Sequence, residues 1–315
     1  MQNNKRRSAA IIGGGNMGAD VALVFAAGGW NAHVVELSEK TRAGLPAYYR
    51  KGLAQMGCSA VSPERFIAHA ALEDAPWSDI EMVVECIPER VDLKRALFAN
   101  LVRLARPDCV LMSNSSSFPI SEISKGLKTR SRMLGLHFFL PAHLVPLVEV
   151  IRMKATAKGL PEKVAQVMLD LGKVPVQVRK DLPGFLANRM QHALSREAFA
   201  MVDDGVATPE DIDAAVRFGF GFRFIAAGPA LQRDHAGIEV HTAAAATMYP
   251  TLSNAKVPAK TLREKVRKGQ LGMKTGQGFF QWDAASIQRE KARYEGKLLA
   301  GLALLQDELP KRKAG

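Results

Sequence analysis

Gly13-Gly14-Gly15-Asn16-Met17-Gly18 stands directly after a short apolar run, residues 8–12, and directly before a helix-compatible stretch, Ala19 to Ala27. That stretch ends at Gly28-Gly29, and a second apolar run, His33-Val34-Val35-Glu36-Leu37, follows. Strand, tight turn, helix and strand in this order leave few folds open. A Gly-x-Gly-x-x-Gly string alone is a weak signal, but in this context each glycine has a physical task. Gly13 allows the tight turn, Gly15 lets a pyrophosphate approach the backbone, and Gly18 permits close helix–strand packing. The helix N-terminus then offers unpaired N–H groups and a positive dipole end to phosphates, and Asn16 and Met17 of the turn are expected to bind the cofactor with it. Glu36, at the end of the second run, would accept hydrogen bonds from the adenosine ribose hydroxyls. A carboxylate there also repels a 2′-phosphate, so NAD is the expected cofactor rather than NADP. The competing reading is a glycine turn in a doubly wound fold that binds another nucleotide, or none.

The alternation continues along the chain. Residues 39–73 read as helix-like and charged, Met82-Val83-Val84-Glu85-Cys86 as a third strand, and Asp92 to Arg103 as a helix. Cys109 to Met112 reads as a fourth strand and Met133 to Phe139 as a fifth. Leu147 to Ile151 and Val174 to Val178 are further strand candidates, with a helix near 161–171 between them. Strands alternating with helices imply a parallel sheet covered on both faces. After Pro183 the strand signal stops. Residues 184–204 read as one long helix. Thr208-Pro209-Glu210-Asp211 supplies a capping threonine, a proline at the first helical position and acids in the first turn. The expected fold is α/β. It places an N-terminal Rossmann-type doubly wound parallel sheet over residues 1–182 and an all-α C-terminal domain over 183–315. The length of 315 residues fits two domains at roughly 100–200 residues each.

Composition narrows the function classes. With 47% apolar and 23% charged residues the chain is neither disordered nor collagenous. No apolar run approaches the roughly 18–20 residues of a membrane helix, so no membrane span is expected. The basic N-terminus reaches the glycine cluster too soon to hold a secretory segment with its cleavage site. Cys58, Cys86 and Cys109 have no metal spacing and no paired framework. No metal is expected, and a reducing, cytoplasmic location is the default. The net charge, 43 − 31 = +12, attracts anions. The basic residues are spread out, apart from Lys5-Arg6-Arg7 and Lys311-Arg312-Lys313. No aromatics interleave with them as in a single-strand binder, so a small anionic ligand is expected and nucleic acid is not.

Three clusters carry the chemistry. Ser113-Asn114-Ser115-Ser116-Ser117 follows the fourth strand. On residue types alone it is a polar strand-to-helix turn, yet it lies at the C-terminal sheet edge, where ligands sit in such folds. Leu136-His137-Phe138-Phe139-Leu140-Pro141 is followed by Glu149 inside Val148-Glu149-Val150. A histidine beside two phenylalanines alone reads as a core residue. A glutamate inside an apolar strand is different, because a buried carboxylate is costly unless it is paired. His137 is the obvious partner. The carboxylate would hold one ring nitrogen as N–H and leave the other as a positioned general base. The third cluster is Asp181-Leu182-Pro183-Gly184-Phe185-Leu186-Ala187-Asn188-Arg189, with Asn188 on the first turns of the long helix or simply at the surface.

Together these motifs resemble the 3-hydroxyacyl-CoA dehydrogenase family, from about Ala9 to Trp282. The specific elements are the glycine turn, Val83-Val84-Glu85-x-Ile87-x-Glu89, Asn114-Ser115-Ser116-Ser117, His137-Phe138-Phe139 with Glu149, and Asp181-x-Pro183-Gly184-Phe185 with Asn188. Pro209-Glu210-Asp211-Ile212-Asp213 and Gly272-x-Lys274-Thr275-Gly276-x-Gly278-Phe279 add to them. The resemblance implies an NAD-dependent oxidation of a 3-hydroxyl in fatty-acid metabolism. His137 would take the hydroxyl proton while the substrate's third carbon gives hydride to the nicotinamide. Glu149 would orient His137, and Ser116 and Asn188 would hydrogen-bond the oxygen on that carbon. Glu89, Lys94 and Asn114 would lie by the cofactor's ribose and nicotinamide. It further implies a homodimer built through the helical domain.

Three departures bear on the substrate. Leu140 stands where the family usually has Asn, which removes a polar group beside the base. The segment at about 38–73, which helps hold CoA in the thioester enzymes, looks short. Gly228-Pro229-Ala230-Leu231 replaces the family's Gly-Pro-Phe-Glu. The substrate is therefore expected to be either a 3-hydroxyacyl-CoA or a free small acid of the L-gulonate, carnitine or aromatic hydroxymethyl type. Arg217, Arg223 and Arg233, near the altered loop, could pair with its carboxylate or lie solvated at the surface. A non-catalytic, crystallin-like NAD-binding protein is the reading from another class.

Overall fold

The computed structural model describes residues 7–313, so Lys5 and Arg6 of the N-terminal basic cluster lie outside the described residues. The first strands and helices run β1 (Ser8–Ile12), α1 (Asn16–Ala27), β2 (Asn31–Val35), α2 (Glu39–Gln55), β3 (Phe66–His69), β4 (Ile80–Glu85) and α3 (Val91–Leu104). Then come β5 (Val110–Ser113), α4 (Ile120–Ile123), β6 (Met133–Phe138), β7 (Leu147–Ile151), α5 (Leu160–Asp170) and β8 (Val174–Val178). They form one eight-stranded sheet in the order β3-β2-β1-β4-β5-β6-β7-β8. Every neighbouring pair is parallel except β6 and β7, which are antiparallel. The strand order reverses direction between β1 and β4, and that switch point opens a crevice at the C-terminal edge.

Burial explains the strand sequences. β1 is buried at all five positions, as expected of a central strand covered on both faces. Ile11, Val84, Leu136 and Val150 pack with Phe25 of α1 on one face. Ile12, Val83, Leu111 and Ile151 pack with Phe98 of α3 on the other. In α1 every residue from Gly18 to Ala26 is buried, Asp20 included.

The structure corrects three sequence expectations. The stretch 39–73 is not helical throughout: α2 ends at Gln55, and β3 adds a parallel edge strand to β2. β3 escapes pattern reading because its four residues are only half-buried at best and show no alternation. β2 ends at Val35, which leaves Glu36 and Leu37 beyond the strand at the crevice. The long helix begins at Ala187 rather than 184, because Gly184 and Phe185 take positive φ values of 74° and 48° and turn the chain first.

The chain forms two compact units. One runs to Asn188 and takes in the segment from Gln306; the other spans Arg189–Leu305. In the first, Lys313 reaches back to Asp170, with its ammonium 2.8 Å from the carboxylate. The second holds most of α6 (Ala187–Asp203), then α7 (Pro209–Ala215), α8 (Pro229–Ala236), α9 (Ile238–Met248), α10 (Lys260–Arg267) and α11 (Ala284–Leu304). Thr208 caps α7, accepting the Asp211 N–H, and the Asp211 carboxylate returns the bond. This unit buries little apolar surface: Phe218 is 72% exposed, Phe222 64%, Ile238 61% and Tyr249 63%.

Candidate functional site

The glycine turn is shaped by what each glycine touches. Gly13 has φ +102°, and a Cβ there would lie 2.8 Å from the Cys86 carbonyl oxygen. A Cβ on Gly18 would lie 1.8 Å from the Gly13 carbonyl oxygen. Both positions are closed by backbone, so no side chain fits. A Cβ on Gly15 meets nothing within 4 Å, although Gly15 is the N-cap of α1 and has no side-chain cap of its own. The helix end is therefore shut on the protein side and open outward, as an anion-binding terminus needs to be. A cleft of about 680 Å³ lies over it, lined by Gly13, Gly15, Asn16, Met17, Glu36 and Leu37 among others. The Glu36 carboxylate accepts the Gly14 N–H at 2.7 Å and the Ser38 N–H at 2.8 Å. Each oxygen keeps a lone pair for a hydroxyl donor. These residues fit a dinucleotide.

At the neighbouring strand end, Glu85 and Lys94 form a buried ion pair of 2.6 Å. Glu85 also accepts the Ser113 hydroxyl at 2.6 Å and the Ile87 N–H at 2.8 Å. Burial pushes its carboxyl upward, and Lys94, Ser113 and Ile87 oppose that push. Glu85 was legible by the same signal that singles out Glu149, an acid inside an apolar strand, but the sequence reading gave it no role. Glu89 gathers the serine turn: one oxygen accepts from the hydroxyls of Ser115 and Ser117 and from the N–H groups of Ser116 and Ser117, at 2.6–3.0 Å. Its other oxygen lies 3.2 Å from Lys94 Nζ. Burial raises the Glu89 carboxyl, but the Ser115 and Ser117 hydroxyls, the Lys94 charge and the Ser117 N–H outweigh it and hold the group at about 2. Asn114 accepts the Phe138 N–H at 2.7 Å, which ties the end of β5 to the residue after His137.

His137 and Glu149 face each other across the antiparallel β6–β7 pair. His137 Nδ1 lies 2.7 Å from Glu149 Oε2, with the histidine 4% and the glutamate 0% exposed. Glu149 Oε1 accepts the N–H groups of Leu186 at 3.0 Å and Ala187 at 2.8 Å. The carboxylate thus holds the start of α6 with one oxygen and the imidazole with the other. With Nδ1 donating, Nε2 carries the lone pair, and it has no protein partner among the described residues. The rings of Phe139 and Phe185 flank His137 at 4.6 and 5.8 Å between centroids. Asn188 follows Ala187 directly, and its amide nitrogen donates to the Ser116 carbonyl at 3.4 Å. The Ser116 hydroxyl has no protein partner among the described residues. Asp181 accepts the N–H groups of Ile120 and Ser121 at 2.9 and 2.7 Å and anchors the loop that leads to α6.

The remaining sequence candidates are placed as follows. Leu140 is 53% exposed directly after Phe139. Arg217 and Arg223 are exposed and Arg233 half-buried, all in the Arg189–Leu305 unit. The Arg217 guanidinium lies 5.0 Å from the Phe218 ring centre. Among the described residues no group of three or more His, Cys, Asp and Glu side chains is placed to hold a metal ion, and no helix is long and apolar enough to cross a membrane.

The profile of the 3-hydroxyacyl-CoA dehydrogenase NAD-binding domain matches residues 8–182, and that of the family's C-terminal domain matches 184–282. The chain is 31% identical over 311 residues to 5-formyl-3-hydroxy-2-methylpyridine 4-carboxylate 5-dehydrogenase of Mesorhizobium japonicum, covering 95% of this chain and 98% of that one. It is 34% identical over 290 residues to 3-hydroxyadipyl-CoA dehydrogenase of Escherichia coli, covering 88% of this chain and 59% of the relative. Among solved structures, a 5-formyl-3-hydroxy-2-methylpyridine 4-carboxylic acid 5-dehydrogenase, described as an NAD+ dependent dismutase, superposes with a TM-score of 0.89 at 29% identity. That match covers 98% of this chain and 100% of the other. The (S)-3-hydroxybutyryl-CoA dehydrogenase of Ralstonia eutropha superposes with a TM-score of 0.70 at 28% identity, covering 88% and 99%.

Proposed function

The chain belongs to the 3-hydroxyacyl-CoA dehydrogenase family and is an NAD-dependent dehydrogenase, and on that premise we propose that His137 is its general base and a free, flat carboxylic acid its substrate. The observation that carries the base is the 2.7 Å contact from His137 Nδ1 to a carboxylate whose other oxygen is already engaged by two backbone N–H groups. Glu149 cannot swing away without stripping the start of α6, so the tautomer with a free Nε2 is held in place.

Gly13, Gly15, Asn16, Met17, Gly18 and Glu36 would hold the pyrophosphate and adenosine of the cofactor, and Glu89, Lys94 and Asn114 its ribose and nicotinamide side. NAD, when bound, supplies the hydride acceptor. His137 Nε2 takes the proton of the substrate hydroxyl as the carbon–hydrogen bond gives up its electron pair and the C–O bond becomes a carbonyl. Ser116 and Asn188 donate to that oxygen and hold the carbon in one orientation. Glu149 stabilises the imidazolium that forms. An aldehyde fits the same chemistry as its hydrate, whose carbon carries the hydroxyl and the hydrogen to be lost.

Two observations favour the free acid over a CoA thioester. The exposed Leu140 and the rings of Phe139 and Phe185 make the surroundings of the base flat and apolar. The pyridine carboxylate enzyme, whose name describes a free acid, superposes at 0.89 against 0.70 for the thioester enzyme. A thioester substrate would instead put the chain in fatty-acid metabolism. Phe218, Phe222, Ile238 and Tyr249 of the Arg189–Leu305 unit are each more than 60% exposed, which supports a homodimer formed there. The three free cysteines agree with a cytoplasmic protein.

The test is a side-by-side assay of NADH formation with 5-formyl-3-hydroxy-2-methylpyridine-4-carboxylate, 3-hydroxybutyryl-CoA, L-gulonate and L-carnitine. The aromatic acid is expected to turn over fastest, and His137→Ala to abolish the reaction with NAD binding kept. Turnover of the thioester alone overturns the substrate reading, and an unimpaired His137→Ala overturns the base.

A further inference from the structure

A buried polar cluster centred on Asp20 lies beside the residues that would hold the cofactor and the substrate. Asp20 lies on α1, one turn past Asn16, and is 0% exposed. A carboxylate so buried is costly unless every oxygen is partnered, and all its partners come from other elements. Oδ2 accepts the Ala142 N–H at 2.7 Å. Oδ1 accepts the Tyr48 hydroxyl of α2 at 2.5 Å and meets His143 Nδ1 at 2.8 Å. His143 Nε2 lies 2.9 Å from Gln55 Oε1. Lys173, just before β8, donates to the carbonyls of Ala142 and Val145, the latter at 2.9 Å. These side chains converge on residues 142–145, the connection between β6, which carries His137, and β7, which carries Glu149. The helix that holds Asp20 is the one whose N-terminus opens at Gly15.

We propose that Asp20 and His143 are positioning residues of the reaction, a buried lock that sets the His137–Glu149 hairpin against the dinucleotide helix. Filling the dinucleotide site then stiffens the hairpin, and the substrate carbon held at His137 meets the cofactor in one geometry. The proposal rests on His137 as the base. Hydrogen bonds to a buried carboxylate are stronger than neutral ones, so Asp20 can fix a connection that would otherwise move as surface loops do. Two elements sharing one network also couple their ligands. The expected catalytic effect is large because a displacement of about 1 Å at a reacting centre costs about a hundredfold in rate.

The experiment is hydrogen–deuterium exchange of the full chain with and without NAD+, compared between wild type and Asp20→Asn, together with steady-state kinetics. In wild type, NAD+ is expected to slow exchange across residues 138–146 by about fivefold or more. Asp20→Asn is expected to lose that protection while residues 11–19 keep theirs, and its kcat to fall about tenfold or more with the KM for NAD little changed. Equal NAD-dependent protection of 138–146 in both proteins overturns the lock. If Asp20→Asn does not fold, His143→Asn, which keeps a donor toward Asp20, is compared with His143→Phe, which does not. Only the Phe variant is expected to lose the protection, and identical behaviour of the two overturns the proposal. The outcome is separable from that of the base: His137→Ala reports on proton transfer, whereas the exchange measurement needs no turnover.

Discussion

Replacing Glu149 by Gln tests the proton acceptor through its tautomer. The amide is nearly isosteric, and the structure dictates how it must sit. Oε1 faces two donors, the N–H groups of Leu186 and Ala187, so the glutamine oxygen must stay there. Its NH2 group then faces His137 Nδ1, where the wild-type chain places an acceptor at 2.7 Å. Nδ1 must become the acceptor, the proton moves to Nε2, and the nitrogen facing the substrate can no longer accept one. The opposite rotamer sets NH2 against two N–H groups in a fully buried place and costs about 1–3 kcal/mol for each donor left unsatisfied. General-base catalysis contributes about 10²–10⁴-fold, and a wrongly protonated imidazole loses nearly all of it. Glu149→Gln is therefore expected to lower kcat by about a thousandfold, close to 4 kcal/mol of barrier. The start of α6 and NAD binding should persist. Steady-state NADH formation gives the rate, and the nitrogen-15 spectrum of the imidazole gives the tautomer. A variant that keeps Nδ1 protonated and retains more than a tenth of the wild-type kcat would refute the argument.

Four further outcomes follow from the geometry. Gly18→Ala puts a methyl 1.8 Å from the Gly13 carbonyl and is expected to weaken NAD binding by about ten- to a hundredfold and to lower the melting temperature. Gly15→Ala, which meets nothing in the protein, is expected to weaken NAD binding in a titration but leave the melting temperature of the apo protein unchanged. Burial, helped by the Arg312 charge and opposed by Asp20, pulls the Lys173 ammonium from 10.5 down to about 7. The folded chain then binds fewer protons than the unfolded one between those values. Stability is expected to rise with pH from about 7 toward 10, by up to about 1 kcal/mol per pH unit, and to level off below about 7, where both states carry the proton. Lys173→Met is expected to flatten that slope in urea melts, and an unchanged slope would contradict it. If the proposed homodimer forms through this unit, the double variant Phe218→Glu, Phe222→Glu, at positions 72% and 64% exposed, is expected to weaken it by about thirtyfold or more in sedimentation experiments. A dimer of unchanged affinity would remove these residues from the interface.

How much of this could be read beforehand depended on how far apart the partners lie in sequence. The glycine turn was legible because strand, turn, helix and acid are contiguous, and Gly13 and Gly18 answer local steric demands. The His137–Glu149 contact was legible because an acid inside an apolar strand requires a partner and the chain offers a histidine one hairpin away. The same logic applied to Glu85 but pointed to no single neighbour, since its partners Lys94, Ser113 and Ile87 come from three segments. Asp20 was invisible: within Ala19–Ala27 it reads as one polar residue on a helix, and its partners Ala142 and His143 are more than a hundred residues on. β3 was missed because four half-buried residues carry too little periodicity. The late start of α6 was missed because Phe185, a non-glycine residue, adopts a positive φ that sequence pattern does not announce.

The one antiparallel pairing among the described strands, between β6 and β7, has a consequence for how such an enzyme can change. Side chains on neighbouring strands share a face only while the rungs stay matched, and a slip of one rung turns every following side chain over. His137 and Glu149 are matched rungs. A deletion between them that shifted the pairing by one would send the carboxylate through the sheet to the opposite layer, where oil-like neighbours await it. Natural or laboratory remodelling of the 139–146 connection must therefore conserve parity, adding or removing residues only where the two flanking strands keep step.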